Sequence, residues 1–557
     1  MAGYYNEGVL YQWDDERDLA LLDKYKVWFC DRKETIRCFM PFDLWMIQCN
    51  YDNHGIPYAA DYFAIPENKG CDWRIKDGWL YITSIPTTEE ERKEREPKFR
   101  ERIAPWIEDF GKEYHKGIDE LMELYNKIKA IDVEKADDWE LKDAFRLWLW
   151  AYRREADLHF IWMFAFTEIY AMFEDECKEL LGIDRHDRLF NDILGGFDHK
   201  ILQTDRELFR LGRKAREMGL EPLLTETPND EELLSKLELS EAGKKWLQEL
   251  RKFLEEYGWR TIGNWDAGNP SWIEKPSQVL PSMRRFITAP TFLVDEARQN
   301  LIERRAKAEK EVISRVPADK RDDFIKLMRA AQWAGVCNEE HVFYAENYGA
   351  SLGRYVTKEI GKRFANAGAI DDIQDIYYLL PEEIEPRIFS KYSAQKLVET
   401  RKKQHVEFRK TEPEPFIGDP DKLGEVIANS PIMRGTLAPF PRIRPELEAD
   451  VYGTVSAPGV VEGVVNVIMS EDEFDKFKPG SILVTIETSS AWTPLYNMAK
   501  AVVTDVGGIL SHAAIIGREY GLPVISGCVE GTKKLKTGMK VKVDGDAGVV
   551  YILEKSH

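Results

Sequence analysis

"DVGGILSHAAIIGRE", Asp505–Glu519, sets two adjacent glycines, an apolar pair and Ser-His ahead of a helix-like run of small residues. Gly507 and Gly508 permit backbone conformations that other residues resist, so the chain can turn tightly there. Ser511 suits an N-cap, which puts His512 in the first turn of the following helix. Amides in that turn have no intrahelical acceptor and the helix dipole is positive, so the place attracts anions. A neutral imidazole beside such a site is a nucleophile able to take a phosphoryl group, whose oxygens the amides could stabilise. The same local pattern is met equally by a histidine that only packs or caps a helix. Gly517 costs about 1 kcal/mol of helix propensity against alanine, so a close backbone approach is expected there.

Working outward, the flanking pieces are strand-sized and bounded by glycine: "VYGTVSAPGVVEGVVNVI", "GSILVTIET", "AKAVVTDVGG", "GLPVISG" and "MKVKVDGDAGVVYIL". With the helix near Ser511 they predict a small α/β domain over 446–557. Just upstream, seven of the chain's 26 prolines fall between 411 and 445: Pro413, Pro415, Pro420, Pro431, Pro439, Pro441 and Pro445. Proline interrupts regular structure, so this stretch reads as a semi-stiff connector or a packed surface loop. Residues 1–410 read as one region that starts mixed α/β and becomes mostly helical. "KVWFCD", "IRCFMPF" and "GWLYITS" suggest strands, with turns at Asn53-His54-Gly55 and Lys76-Asp77-Gly78. Thr87 or Thr88 then caps a helix. "ELKDAFRLWLWAYRREADLHFIWMF" and "GKKWLQELRKFLEEYG" carry apolar residues at spacings of three and four.

The length of 557 residues suggests about three or four domains. The net charge of -20, from 98 acidic and 78 basic residues, argues against a duplex nucleic acid partner. Seven cysteines without a CxxC pair, and a polar, acidic opening without a secretory pattern, point to a reducing cytoplasm and no zinc ribbon. "LHFIWMFAFTEIYAMF", Leu158–Phe173, is apolar but shorter than the roughly 20 residues of a bilayer span, and it contains His159 and Glu168. A buried helix is expected, not a membrane segment. Trp162 and Phe164 read as core, and His159 as a histidine satisfied within it.

"TDVGGILSHAAIIGREYGLPVISG", Thr504–Gly527, resembles the swivelling phosphohistidine domain of the phosphoenolpyruvate synthase and pyruvate phosphate dikinase family. "SAPGVVEGVV" and "LKTGMKVKVDGDAGVV" extend the resemblance to about 110 residues. Two departures stand out: Gly517 replaces the usual alanine, and "ETSSAWTPLY" lacks the proline often found before the tryptophan. The resemblance implies that His512 is phosphorylated. Thr504, Gly507, Gly508 and Ser511 would shape its loop around the phosphate. Arg518 would hold phosphate or, as readily, pair structurally with Glu519.

"FLEEYGWRTIGNWDAGNPSWIEKPSQVL", Phe253–Leu280, and "NEEHVFYAENYGASLGRYVTKEIGKRFANAGAIDDIQDIYYLLPEEI", Asn338–Ile384, resemble the acceptor-binding part of rifampin phosphotransferase and its relatives. The first 400 residues carry no GxxxxGK[ST] loop or comparable nucleotide site, and no phosphoenolpyruvate barrel is expected. The layout is similar to the acceptor-plus-histidine subunit of phenylphosphate synthase-like (aryl phosphate synthase) enzymes. That likeness implies a separate ATP-grasp subunit, ATP with Mg²⁺ or Mn²⁺ held mainly on that partner, and AMP and orthophosphate as products. It implies a phenol-like or aromatic alcohol acceptor; an antibiotic, another hydroxyl metabolite, or a non-catalytic phosphocarrier role are the alternatives. No metal ligands are expected on this chain. On the acceptor side, Trp265, Asp266 and Trp272 lie in a Gly/Asn/Pro-rich stretch where loop residues serve ligands. Arg260 could hold phosphate oxygens, and His341 or Glu340 could take the hydroxyl proton; buried ion pairs are the plain alternative.

Overall fold

The computed structural model describes residues 13–14, 18–30, 38–185, 187–260, 267–288, 293–428, 445–489 and 492–555. The chain is mainly helical, with a C-terminal α/β sheet region. It divides into two compact units less simply than the sequence suggests. The first gathers Met1–Ala165, Arg260–Ser271 and His341–Pro431, and the second Phe166–Trp259, Trp272–Glu340 and Ile432–His557.

In the first unit, β1 (Val27–Cys30), β2 (Asn68–Lys76), β3 (Trp79–Pro86) and β4 (Phe416–Gly418) form an antiparallel sheet ordered β2-β3-β1-β4. "KVWFCD" and "GWLYITS" are therefore β1 and β3. Lys76-Asp77-Gly78 is the expected turn: Asp77 and Gly78 have φ of 51° and 82°, which suits the twist of a tight hairpin. "IRCFMPF" is not a strand in its described part. Pro41, its φ preset for a first helical turn, opens the helix Pro41–Met46. Asn53-His54-Gly55 is not a turn either; it closes the π-helix Ile47–Gly55. A Cβ on Gly55 would meet Phe160 Cδ2 at 2.7 Å and the Ala156 carbonyl at 2.8 Å, so this glycine serves close packing. Thr88 caps Glu89–Glu108 in a reciprocal box: its hydroxyl accepts from the Glu91 amide at 3.2 Å, and the Glu91 carboxylate accepts from the Thr88 amide at 2.8 Å.

Leu158–Phe173 lies within the helix Asp138–Leu181 and is buried over most of its length. Trp162 is core: it meets Tyr114 edge-on at 5.1 Å and lies so close to Gly117 that a Cβ there would reach its ring at 2.7 Å. Among the described residues no helix is long and apolar enough to cross a membrane. All seven cysteines are free of disulfides. In the proline-rich stretch, Phe416–Gly418 pairs with β1 and Leu423–Ala428 is helical; 429–444 lie outside the described residues.

In the second unit, β5 (Val451–Tyr452), β6 (Thr454–Ala457), β7 (Val460–Val467), β8 (Ile482–Thr485), β9 (Ala501–Thr504), β10 (Val524–Ser526), β11 (Lys540–Asp544) and β12 (Val549–Glu554) form one sheet ordered β5-β12-β11-β7-β8-β9-β10-β6. The β7-β8, β8-β9 and β9-β10 pairs are parallel. Parallel strands need cover on both faces, and the side chains alternate accordingly. Ile482, Val484, Ala501 and Val503 join Val465, Ile525 and Val541 in one cluster. Leu483, Val502 and Val524 join the other, with Ile516, Tyr520 and helical residues such as Trp246, Leu250 and Phe286. These last three lie in or beside the helix Glu241–Tyr257, whose Ser240 cap accepts from the Gly243 amide at 3.0 Å, and the helix Leu280–Thr288.

Candidate active site

The loop after β9 leaves the carboxyl end of a parallel strand, the edge where open α/β sheets bind ligands. Thr504 ends the strand, fully buried, and its hydroxyl donates to the Val506 carbonyl at 2.8 Å. Asp505 accepts from the Thr532 amide at 3.1 Å, and burial holds its carboxyl above the ordinary range. Gly507 has φ of 111°, and a Cβ there would meet Ser511 Oγ at 2.8 Å and Ser511 Cβ at 2.9 Å. Glycine is required on both counts. Ser511 occupies the N-cap position in extended backbone, but its hydroxyl makes no cap bond. It donates at 2.7 Å to the Gly508 carbonyl and so tightens the loop.

The helix His512–Tyr520 follows. It ends as Gly-terminated helices do: Gly521 has φ of 67°, and the Leu522 amide returns to the Gly517 carbonyl at 2.8 Å. The close approach expected at Gly517 is present, since a Cβ there would collide with Val524 Cγ2. Arg518 is buried and donates to the Ser456 and Ile509 carbonyls at 2.9 and 3.2 Å. Both of its terminal nitrogens hold backbone carbonyls in this arrangement. Glu519 accepts from the Gly196 amide at 2.9 Å, and burial pushes its carboxyl up to about 7.

His512 retains 15% side-chain exposure and its Nδ1 lies 3.0 Å from Glu339 Oε2. A carboxylate accepts, so Nδ1 carries the proton, and in the neutral imidazole Nε2 then holds the lone pair. Nε2 makes no hydrogen bond among the described residues. The neighbouring Asn338 donates to the Leu510 carbonyl at 2.9 Å, which fixes the loop against the helix Arg321–Val342. Tyr496 stands edge-on to the imidazole at 6.4 Å. Glu339 was not singled out from sequence: it lies 173 residues from His512, and nothing local distinguishes it from Glu340. Glu340 itself is half-buried and helps to push the Cys337 thiol up, behind the larger effect of burial.

The anticipated acceptor-side residues are divided. Trp265 and Asp266 lie outside the described residues. Trp272 belongs to the second unit, stacked on Phe253 at 6.4 Å. Arg260 and His341 belong to the first, and both are buried. The Arg260 guanidinium lies 5.3 Å from the centre of the Phe343 ring. The rings of His341 and His159 are 4.9 Å apart, with Glu346 Oε1 at 3.8 Å from His341 Nε2 and 4.0 Å from His159 Nδ1. His159, expected to be an ordinary core histidine, is thus part of a buried polar group.

Residues 159–338 match the rifampicin phosphotransferase fourth domain, and residues 477–548 match the mobile domain of phosphoenolpyruvate (PEP)-utilising enzymes. The chain is 27% identical to an uncharacterized phosphotransferase, YvkC, of Bacillus subtilis, over 85% of this chain and 55% of that protein. It is 28% identical to rifampicin phosphotransferase of Bacillus cereus over 58% of this chain and 36% of that one. Over a shorter stretch it is 48% identical to phosphoenolpyruvate synthase of Aeropyrum pernix, covering 19% and 13% respectively. The chain therefore spans about half the length, or less, of these relatives. With a rifampicin phosphotransferase fourth domain and a PEP-utilising mobile domain that carries His512, it fits the PEP-utilising and rifampicin phosphotransferase family.

Proposed function

We propose that this chain is the phosphohistidine and acceptor subunit of an ATP-dependent, dikinase-type phosphotransferase. The observation that carries the reading is Glu339 on Nδ1 of His512, which leaves Nε2 as the nucleophile. In the first half-reaction a bond forms between Nε2 and the β-phosphorus of ATP as the P–O bond to AMP breaks, and water then releases the γ-phosphate as orthophosphate. Glu339 balances the positive charge that the imidazole gains. In the second, the N–P bond breaks as an acceptor hydroxyl oxygen bonds to phosphorus, and the hydroxyl proton passes to a base. In-line placement and charge balance matter more here than covalent assistance, and water must be excluded.

ATP and its Mg²⁺ or Mn²⁺ belong, in this reading, to an ATP-grasp partner. The one His/Cys/Asp/Glu group of metal-ligand spacing among the described residues is a buried pair of imidazoles with a carboxylate. A hard, oxygen-seeking ion such as Mg²⁺ does not suit it. The acceptor is an aromatic hydroxyl, with Glu340 toward its proton. A second reading, an antibiotic acceptor, is favoured by the match of residues 159–338 to the rifampicin phosphotransferase fourth domain.

The test is labelling with β-labelled ATP. With a co-purified ATP-grasp chain, the protein acquires acid-labile, base-stable label that a phenol or benzyl alcohol discharges. Alone, it takes up none, and calorimetry shows no micromolar ATP binding, which would be worth about -8 kcal/mol. Tight ATP binding by the isolated chain overturns the split-subunit reading. A labelled protein that no member of an aromatic-alcohol panel discharges overturns the acceptor assignment.

A further inference from the structure

His159, His341 and Glu346 are all within the first unit and all buried, at 2%, 4% and 5% relative exposure. One potential ligand atom from each lies within 4.8 Å of the others. Bonds of 2.0–2.1 Å to a tetrahedral ion put ligand atoms about 3.4 Å apart, so modest side-chain movement closes the set. The backbone is arranged for this. His341 and Glu346 are five residues apart, a spacing that an α-helix turns by about 140°. Residues Phe343–Asn347 instead form a π-helical turn, whose i→i+5 repeat brings the two side chains toward one face. The second π-helix, Ile47–Gly55, supplies Tyr51, whose ring stands edge-on to His159 at 5.2 Å. Such turns are rare and occur disproportionately at functional sites.

We propose that His159, His341 and Glu346 bind a divalent first-row transition ion of the Zn²⁺ type, leaving a coordination position open. Two imidazoles and one carboxylate suit such an ion and disfavour Mg²⁺ or Ca²⁺. An ion here also lowers the pKa of a hydroxyl bound at the open position. That bears on the acceptor half-reaction proposed above, but binding itself is independent of it.

The experiment uses the full chain, stripped with chelator and titrated with Zn²⁺, or with Co²⁺ for its visible spectrum. One equivalent binds with a sub-micromolar dissociation constant, and zinc-edge X-ray absorption counts two imidazoles. His159→Ala, His341→Ala and Glu346→Gln each weaken binding by at least about 100-fold, beyond the range seen for outer-shell changes. His512→Ala binds normally. Absence of a tight equivalent, an imidazole count other than two, unchanged affinity in the three variants, or loss of binding in His512→Ala each overturn the proposal. If the buried variants fail to fold, the imidazole count on the wild-type chain decides. Metal binding without acceptor transfer would leave this site standing and remove the acceptor assignment instead.

Discussion

Histidine meets carboxylate in both units, on opposite principles. His512 sits on a glycine turn at a strand end, partly exposed, one nitrogen on Glu339 and the other without a hydrogen bond among the described residues. His159 and His341 sit within helices, buried, with Glu346 within 4 Å of both rings. The first arrangement offers an imidazole to a partner that arrives. The second encloses its imidazoles and suits something small that stays. The difference is made by backbone: a Gly507 turn with φ of 111° in one place, π-helical turns in the other.

The comparison breaks most readily at His512. His512→Ala removes phosphorylation completely, because no other group supplies the N–P bond, while urea denaturation stays close to wild type. Retained label in this variant would move the nucleophile elsewhere.

Next in size is the charge state of the enclosed region. Glu155 is fully buried and accepts from the Tyr51 hydroxyl; its carboxyl lies at about 8 against an ordinary 4.5. A raised folded pKa means that the unfolded chain loses this proton first as pH rises. Stability from Glu155 is therefore complete below about 4.5 and is lost progressively up to about 8. Between pH 5 and 8 the loss is on the order of 4 kcal/mol. Glu155→Gln keeps an acceptor for Tyr51 and cannot ionise, so its urea midpoint falls less over that interval. Parallel midpoints for the two proteins would mean that Glu155 ionises normally.

Smaller again is the effect of Glu339, which acts through His512 and so positions it. Glu339→Gln keeps the shape but not the charge, and slows phosphorylation by about 10- to 100-fold. Glu339→Asp, which keeps the charge, recovers part of the rate. An unchanged rate in Glu339→Gln would reduce the 3.0 Å contact to packing.

These residues also mark how far sequence reasoning reached. The His512 loop was legible because its determinants are contiguous: the glycines, Ser511, the helix and the close packing at Gly517 all fall within Asp505–Glu519. The Lys76-Asp77-Gly78 hairpin and the Thr88 cap were legible for the same reason. Glu339 was not, because 173 residues separate it from His512 and only the fold brings them together. The metal-like triad was missed because an α-helical spacing sets residues 341 and 346 on different faces, and no side-chain pattern announces a π turn. Gly55 misled because glycine serves turns and tight packing alike. At Trp265 and Asp266 the sequence expectation still stands alone.

The smallest effect separates conformation from crowding at the turn itself. Gly507 and Gly480 both adopt positive φ, 111° and 82°. A side chain at Gly480 meets nothing within 4 Å, whereas at Gly507 it meets Ser511, whose hydroxyl is held by the Gly508 carbonyl at 2.7 Å. Gly480→Ala therefore measures backbone strain alone, about 1 kcal/mol by urea denaturation, with phosphorylation unaffected. Gly507→Ala carries similar strain and must also displace Ser511, for a total of about 1–3 kcal/mol. Displacing Ser511 shifts the first turn of the His512 helix, so its phosphorylation rate falls by more than the small loss of folded protein explains. If the two variants lose equal stability and keep equal rates, the Gly507–Ser511 packing has no part in presenting the nucleophile. The loop would then need only a residue able to turn, and the contrast with the enclosed histidines would rest on burial rather than on a shaped backbone.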